Sequence, residues 1–269
     1  MNEISPLRRS WLEKQEKERR RVVCTRLGIV AGFFLLWELS ARRGWVDPFV
    51  VSSPTRMAQT LWELGKTGEL WLHLGTSLWE TAAGFTLGTL LGALIAVALW
   101  WSPFACRVLE PCLVVLNALP KTALGPVFIV WIGAGTESII AMTISISLVV
   151  TILDVLNGFL ATDTEKQRLL RSMGACRRQI LFKLVIPANF TTIINALKVN
   201  VGLSWVGVIM GEFLVSKAGL GYLIVYGSQV FKMDLVMATV LLLGAAAACM
   251  YQGILRLERV LKIHFGVIV

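Results

Sequence analysis

The chain has 269 residues, a formal net charge of +9, 56% hydrophobic and 16% charged residues, and a mean hydropathy of +0.70. A soluble globular domain carries roughly 45 to 50% apolar and 25% charged residues, so this balance excludes an ordinary soluble fold. The basic excess does not indicate nucleic acid either, because Lys and Arg cluster beside apolar segments, which is how orientation in a bilayer is encoded. With spans of about 20 residues for a hydrocarbon core of about 30 Å, the length accommodates about six transmembrane helices in one all-α polytopic domain.

Residues 1–26 carry eight Lys or Arg against four Glu and read as a basic cytoplasmic tail. A first span over 27–44 follows. No small-residue cleavage site succeeds its apolar stretch; Glu38, Arg42 and Arg43 come instead, so a retained span with a cytoplasmic N-terminus is preferred to a signal peptide. Turn chemistry at Asp47-Pro48 and Ser52-Ser53-Pro54, then Trp62, Trp71 and Trp79 among polar residues, predicts a helix at the membrane interface before residue 81. The second span, 81–101, has Gly84, Gly88 and Gly92 on one face, which allows close approach of a neighbour. The third, 109–132, is interrupted by Pro120, Gly125 and Pro126. Such a break is tolerated in a membrane only where protein or a water-filled cavity satisfies the freed backbone groups. Spans over 138–159, 190–214 and 235–255 complete a transmembrane domain of 27–258, and 259–269 forms a basic C-terminal tail.

Counting from a cytoplasmic N-terminus places the 161–187 loop and the C-terminus in the cytoplasm. The positive-inside rule agrees, since the loop holds Lys166, Arg168, Arg171, Arg177, Arg178 and Lys183. Within it, Thr162-Asp163-Thr164-Glu165 fits a capping box that starts a helix. Leu169, Leu170 and Met173 give that helix an apolar face, Gly174 closes it, and a second helix is expected from Cys176 to Leu184, ending before Pro187. Two short amphipathic helices joined at a glycine suit either the docking of a partner subunit or adhesion to anionic lipid.

The run Arg168-Leu169-Leu170-Arg171-Ser172-Met173-Gly174-Ala175, followed by Leu184-Val185-Ile186-Pro187, resembles the EAA loop of binding-protein-dependent ABC importer permeases. The family pattern is an acidic and two small residues, three residues, Gly, nine residues, Ile, any residue, Leu-Pro. Gly174 and Pro187 match at the right separation, with Leu184 and Ile186 as conservative replacements. Arg168 stands where the family has its acid, Leu169 and Leu170 replace the small residues, and Glu165 lies about one turn earlier. Val51-Ser52-Ser53-Pro54, Ala118-Leu119-Pro120 through Trp131-Ile132-Gly133, and Gly219-Leu220-Gly221-Tyr222 are similar, in order, to further segments of the nitrate, sulfonate, taurine and bicarbonate branch.

The resemblance implies a type I ABC importer permease fold in the bacterial cytoplasmic (inner) membrane. It further implies a second permease copy, two ABC ATPase subunits that bind ATP and Mg, and an extracytoplasmic substrate-binding protein. The coupling loop to the ATPases would comprise Glu165, Arg168, Leu169, Leu170, Arg171, Gly174, Ala175 and Pro187. The cargo would be a small solute such as a sulfonate or nitrate-like anion, with a thiamine or riboflavin precursor as the alternative; read without the resemblance, the residues leave a secondary transporter as the alternative function. The chain has no GxxxxGK[ST] loop, which leaves ATP chemistry to a partner. Its cysteines, Cys24, Cys106, Cys112, Cys176 and Cys249, form no CxxC pair, and His73 and His264 lack a nucleophile or acid set. No disulfide, metal cluster or cofactor is therefore expected on this chain.

Ionised groups within spans default to functional hypotheses. Lys121, after the Pro120 break, is a candidate for attracting an anion in the pathway, or for an ion pair or a snorkelling position. Asn200, Ser204 and Trp205 are candidates to line the pathway, with ordinary helix packing as the alternative. Glu212 and Lys217 are candidates to meet each other or the binding protein.

Overall fold

Helix follows helix through the computed structural model, which describes residues 6–265 and, within them, the side chains of 14–18, 20–47 and 49–262. Residues 1–5 and 266–269 of the expected tails lie outside the described residues. The first helix, α1 (Pro6–Arg42), carries the expected 27–44 span as its second half and continues straight out of it on the basic side. Leu27, Ile29, Phe33, Leu35 and Leu36 are exposed along it, the pattern of a helix that borders lipid.

Two short elements then cross the opposite side, α2 (Pro48–Val51) and α3 (Pro54–Thr67). Ser53 caps α3 by accepting from the Arg56 amide at 3.4 Å, and Pro54 opens it, an arrangement favoured because an N-terminal proline removes only an orphan donor. Gly68, at φ +82°, ends α3 and starts α4 (Glu69–Trp101). The expected interfacial stretch thus divides: α3 matches it, whereas Trp71 and Trp79 belong to the continuous α4, whose 33 residues extend well before residue 81.

The elbow at Ser102 turns the chain into α5 (Pro103–Ala118). A break at Leu119-Pro120, a 3-10 turn over Lys121–Leu124 and α6 (Gly125–Ile132) complete the interrupted span, whose halves meet at 86°. Then come α7 (Thr136–Leu160), the loop helices α8 (Thr164–Ser172), α9 (Arg177–Ile180) and α10 (Ile186–Ala188), the long α11 (Phe190–Val215), α12 (Leu220–Gln229) and α13 (Met233–Phe265). Among the described residues, five helices are long and apolar enough to cross a bilayer, and the bent α5–α6 pair is so when its halves are taken together. The molecule is an all-α polytopic membrane protein.

Its core is the stack of α4, α7 and α11, with α7 in the middle. Gly84, Gly88 and Gly92 of α4 face Thr143, Ser147 and Thr151 of α7, residue against residue. A Cβ at Gly84 would stand 2.5 Å from the Thr143 methyl, and one at Gly92 2.6 Å from the Thr151 Cβ. A Cβ at Gly207 of α11 would likewise meet Thr143 of α7, its Cα at 2.7 Å. The three α7 hydroxyls donate to carbonyls one turn back on their own helix, so their small size lets helices touch without leaving a donor stranded. At the basic end, Lys198 of α11 pairs with Glu258 of α13 at 2.8 Å, and Glu258 also meets Lys262 at 3.0 Å.

Gly84→Val should therefore separate α4 from α7 and lower stability by about 1–3 kcal/mol, the usual cost of overpacking. Gly75→Ala, where a Cβ meets nothing within 4 Å, should be neutral. Thermal unfolding of the two variants in detergent checks the contrast.

Candidate functional site

Two assemblies of polar residues stand out, one at each end of the core. The first is the 161–187 loop on the basic side. Asp163, one residue after the expected cap, starts α8: its Oδ1 accepts from the Glu165 amide at 2.9 Å and the Lys166 amide at 3.4 Å. Thr162 is instead buried and accepts from Asn189 Nδ2 at 2.7 Å, which ties the start of the loop to its end. The capping role passes to Asp163 because Asn189 engages the threonine hydroxyl.

Gly174, at φ +84°, closes α8 in the left-handed conformation that disfavours other residues. The Ala175 amide donates to Leu170 O at 2.9 Å and the Gly174 amide to Arg171 O at 3.0 Å, the paired bonds of a Schellman stop. The second limb departs from expectation. It runs from Arg177 through Ala188, with a π turn over Leu181–Val185, and passes through Pro187 instead of stopping before it. A wider turn absorbs the missing proline amide without breaking the helix.

The loop's two limbs are used differently. Ile180, Leu181 and Val185 of the second limb are buried in one cluster with Leu99 and Trp100 of α4, Cys106 of α5, Phe159 of α7 and Ala196 of α11. The first limb is displayed: Leu170 packs on that cluster, whereas Leu169 and Met173 are 61% and 74% exposed, beside exposed Glu165, Arg168 and Arg171. Among the described residues no ion pair engages Arg168 or Arg171.

The second assembly, at the opposite end, was only partly legible from sequence. Glu212 is 2% exposed and makes no ion pair with Lys217. Its Oε1 accepts from Ser77 Oγ of α4 at 2.5 Å and its Oε2 from the Gly221 amide at 2.5 Å. Ser77 Oγ in turn accepts from the Leu220 amide at 2.7 Å, and His73 Nδ1 from the Gly219 amide at 3.0 Å. Glu80, also buried, lies against Glu212 and Thr136. The Gly219-Leu220-Gly221 turn is thus clasped to α4 through its amides, and glycine is needed there: a Cβ at Gly221 would sit 2.8 Å from Glu212 Oε2. His73, Ser77 and Glu80 were missed as a group, although their spacing continues the one-face pattern of Gly84, Gly88 and Gly92 toward the N-terminus. Glu212 is buried, whereas Lys217 stands exposed at the rim of an open cavity of about 990 Å³ that His73, Tyr222, Tyr226 and Lys232 also line.

Between the two ends, Pro120 is exposed and Lys121 half-buried at the 86° break. Lys121 Nζ donates to Asn117 O and Oδ1, both at 3.1 Å, closing the C-terminus of α5 with a cation. Asn200, Ser204 and Trp205 are placed elsewhere, inside the protomer at 0%, 0% and 4% exposure. Asn200 donates to Thr151 of α7 at 2.5 Å, and Trp205 packs among residues of α11, α12 and α13.

Several long apolar helices packed on a three-helix core, with a broken pair beside it and a folded basic loop at one end, define a multi-pass membrane protein. Family comparison gives the particular assignment. Residues 88–261 match the model of the binding-protein-dependent transport system inner membrane component, and the chain belongs to that family. It is accordingly a permease component of an ABC importer, a transport part rather than an enzyme. It is 28% identical over 233 residues to the formylaminopyrimidine transport permease protein ThiX of Halalkalibacterium halodurans, covering 85% of this chain and 92% of the relative. It is 27% identical over 250 residues to the putative aliphatic sulfonates transport permease protein SsuC of Bacillus subtilis, covering 91% of each. Among solved structures, a bacterial alginate ABC transporter in complex with an alginate pentasaccharide-bound periplasmic protein shares the fold, with a TM-score of 0.58 at 13% identity over 92% of this chain and 96% of the other.

Glu212→Ala should strand the buried Ser77 hydroxyl and Gly221 amide and destabilise the protein by about 1–3 kcal/mol, whereas Glu212→Gln, which keeps one acceptor, should cost less. Melting temperatures in detergent, with Lys217→Ala as the neutral control, test this order.

Proposed function

We propose that this chain is the translocation subunit of an importer for a small organic anion of the sulfonate kind, and that it works as a pair of permeases in the bacterial cytoplasmic membrane. Two ATPase subunits, carrying ATP and Mg, dock below, and an extracytoplasmic binding protein delivers the solute above. The observation that carries the docking role is the split use of the loop: its second limb is built into the core, while Leu169 and Met173 are held out in water beside unpaired arginines. Exposed apolar side chains on a rigid, charged-rimmed element favour a protein partner. Lipid alone would not require the second limb to be anchored in the core.

In this reading, closure of the ATPases on ATP displaces α8, with Glu165 providing the acidic contact that Arg168 does not, and Leu170, Arg171, Ala175 and Pro187 completing the docking element. Gly174 sets its angle to the second limb. The pathway wall is the broken span, where Pro120 and Lys121 are accessible and Lys121 supplies positive charge for an anion. Asn200, Ser204 and Trp205 lie inside the protomer, with Asn200 on Thr151 of α7 and Trp205 among α11, α12 and α13, so they reach solute only if α11 parts from these neighbours. Lys217 meets the binding protein at the outer cavity, and Glu212 shapes the turn that presents it. The sulfonate class rests on the similarity to the aliphatic sulfonates permease together with that accessible lysine. The alginate transporter's periplasmic protein supports delivery from outside.

Purification of the tagged permease with its candidate ATPases, then ATP-dependent uptake of radiolabelled taurine and short alkanesulfonates into proteoliposomes with the binding protein, tests this. An ATPase should co-purify, and Gly174→Val should lose it, since a β-branched residue at φ +84° is strained. Uptake driven without any ATPase would overturn the importer reading; uptake of a formylaminopyrimidine with none of the sulfonates would overturn the substrate class alone.

A further inference from the structure

Where the loop's second limb begins, Arg177 reaches back to the cytoplasmic end of α4. Its NH2 donates to Trp100 O at 2.9 Å. The guanidinium carbon lies 5.3 Å from the Trp100 ring centroid and 5.9 Å from that of Trp101, within cation–π range of both. The two indoles stand edge to face, with centroids 6.5 Å apart.

The carbonyl that Arg177 engages is one that α4 cannot satisfy by itself. Trp100 lies in the last turn, where carbonyls have no intrahelical donor. The Ser102 amide already bonds Ala98 O and Leu99 O, and Pro103, which has no amide hydrogen, opens the next helix. A cation at this carbonyl also meets the negative end of the helix dipole. Among the described residues no carboxylate forms an ion pair with Arg177, and its Nε is buried without a hydrogen-bond partner. Among the described residues, the side chain's hydrogen bond and both of its ring contacts fall on α4.

We propose that Arg177 is a positioning residue that ties the docking loop to α4, so that displacement of the loop is passed directly to the cytoplasmic end of that helix and to the Ser102 elbow. The inference rests on the importer reading above. Without the tie, the second limb meets the cluster that holds Leu99 and Trp100 of α4 through apolar side chains, Ile180, Leu181 and Val185 among them, which can slide. A directed hydrogen bond to the helix end resists such sliding. Because α4 is interlocked with α7 along the glycine stripe, a pull at Trp100 is carried into the three-helix core.

Hydrogen exchange read by mass spectrometry on the permease–ATPase complex in nanodiscs, with and without ATP plus vanadate, tests the tie. In the wild type the nucleotide should change exchange in both the 161–187 loop and the 98–106 elbow. Arg177→Ala should keep the ATPase bound and keep the change in the loop but lose it at 98–106, and Arg177→Lys should restore part of it. Trp101→Leu removes a ring that is 44% exposed and leaves the core intact; it guards against a failure of Arg177→Ala to assemble and should weaken the elbow response. A wild-type elbow response in Arg177→Ala, or in Trp101→Leu where the former does not assemble, overturns the tie alone, as does a wild-type complex whose loop responds and whose elbow does not. A wild-type permease that binds no ATPase overturns the importer reading and the tie with it.

Discussion

The close approach of α4, α7 and α11 is the constraint on which the rest of the molecule depends. Where Gly84, Gly88 and Gly92 meet Thr143, Ser147 and Thr151, no side chain separates the helices beyond a hydroxyl or methyl group. In a bilayer the apolar effect gives no preference for helix over lipid, so association depends on packing of this kind. Once the register between α4 and α7 is set, the ends of α4 are placed as well. His73 and Ser77 then come under the Gly219–Gly221 turn, and Trp100 comes under Arg177.

A rigid centre with a bonded assembly at either end suits a protein that must move as a few bodies. The outer clasp uses amides of a glycine turn, which can approach a carboxylate closely because no Cβ intervenes. The inner loop uses one limb as an anchor and the other as a display. In the importer proposed above, such division would let a displacement of the loop pass into the core, since a loop soft throughout would absorb it within itself.

Several features were legible because they are local. The break at Pro120 follows from a missing amide, and the stop at Gly174 from a conformation that glycine adopts readily. The start of α8 was read one residue early, since Thr162 and Asp163 are both good caps and Asn189, which claims the threonine, is 27 residues away. The length of α4 was underestimated because Trp71 and Trp79 among polar residues have the composition of an interface whether or not the helix continues through it.

The sequence by itself determined the membrane class, the number of spans, the broken third span, the basic loop with its glycine stop and the family. Hydropathy, turn chemistry and spacing act over a few residues to a few turns, so they survive in one dimension. Only the tertiary structure decided which polar residues are accessible and which are internal. Glu212 and Ser77 are 135 positions apart, and nothing in either neighbourhood states that they share a bond. Asn200, Ser204 and Trp205 carry the composition of a pathway lining, yet α11 turns them into the protomer. The rotation of a helix about its axis is set by every neighbour it packs against, and that information is distributed over the whole chain.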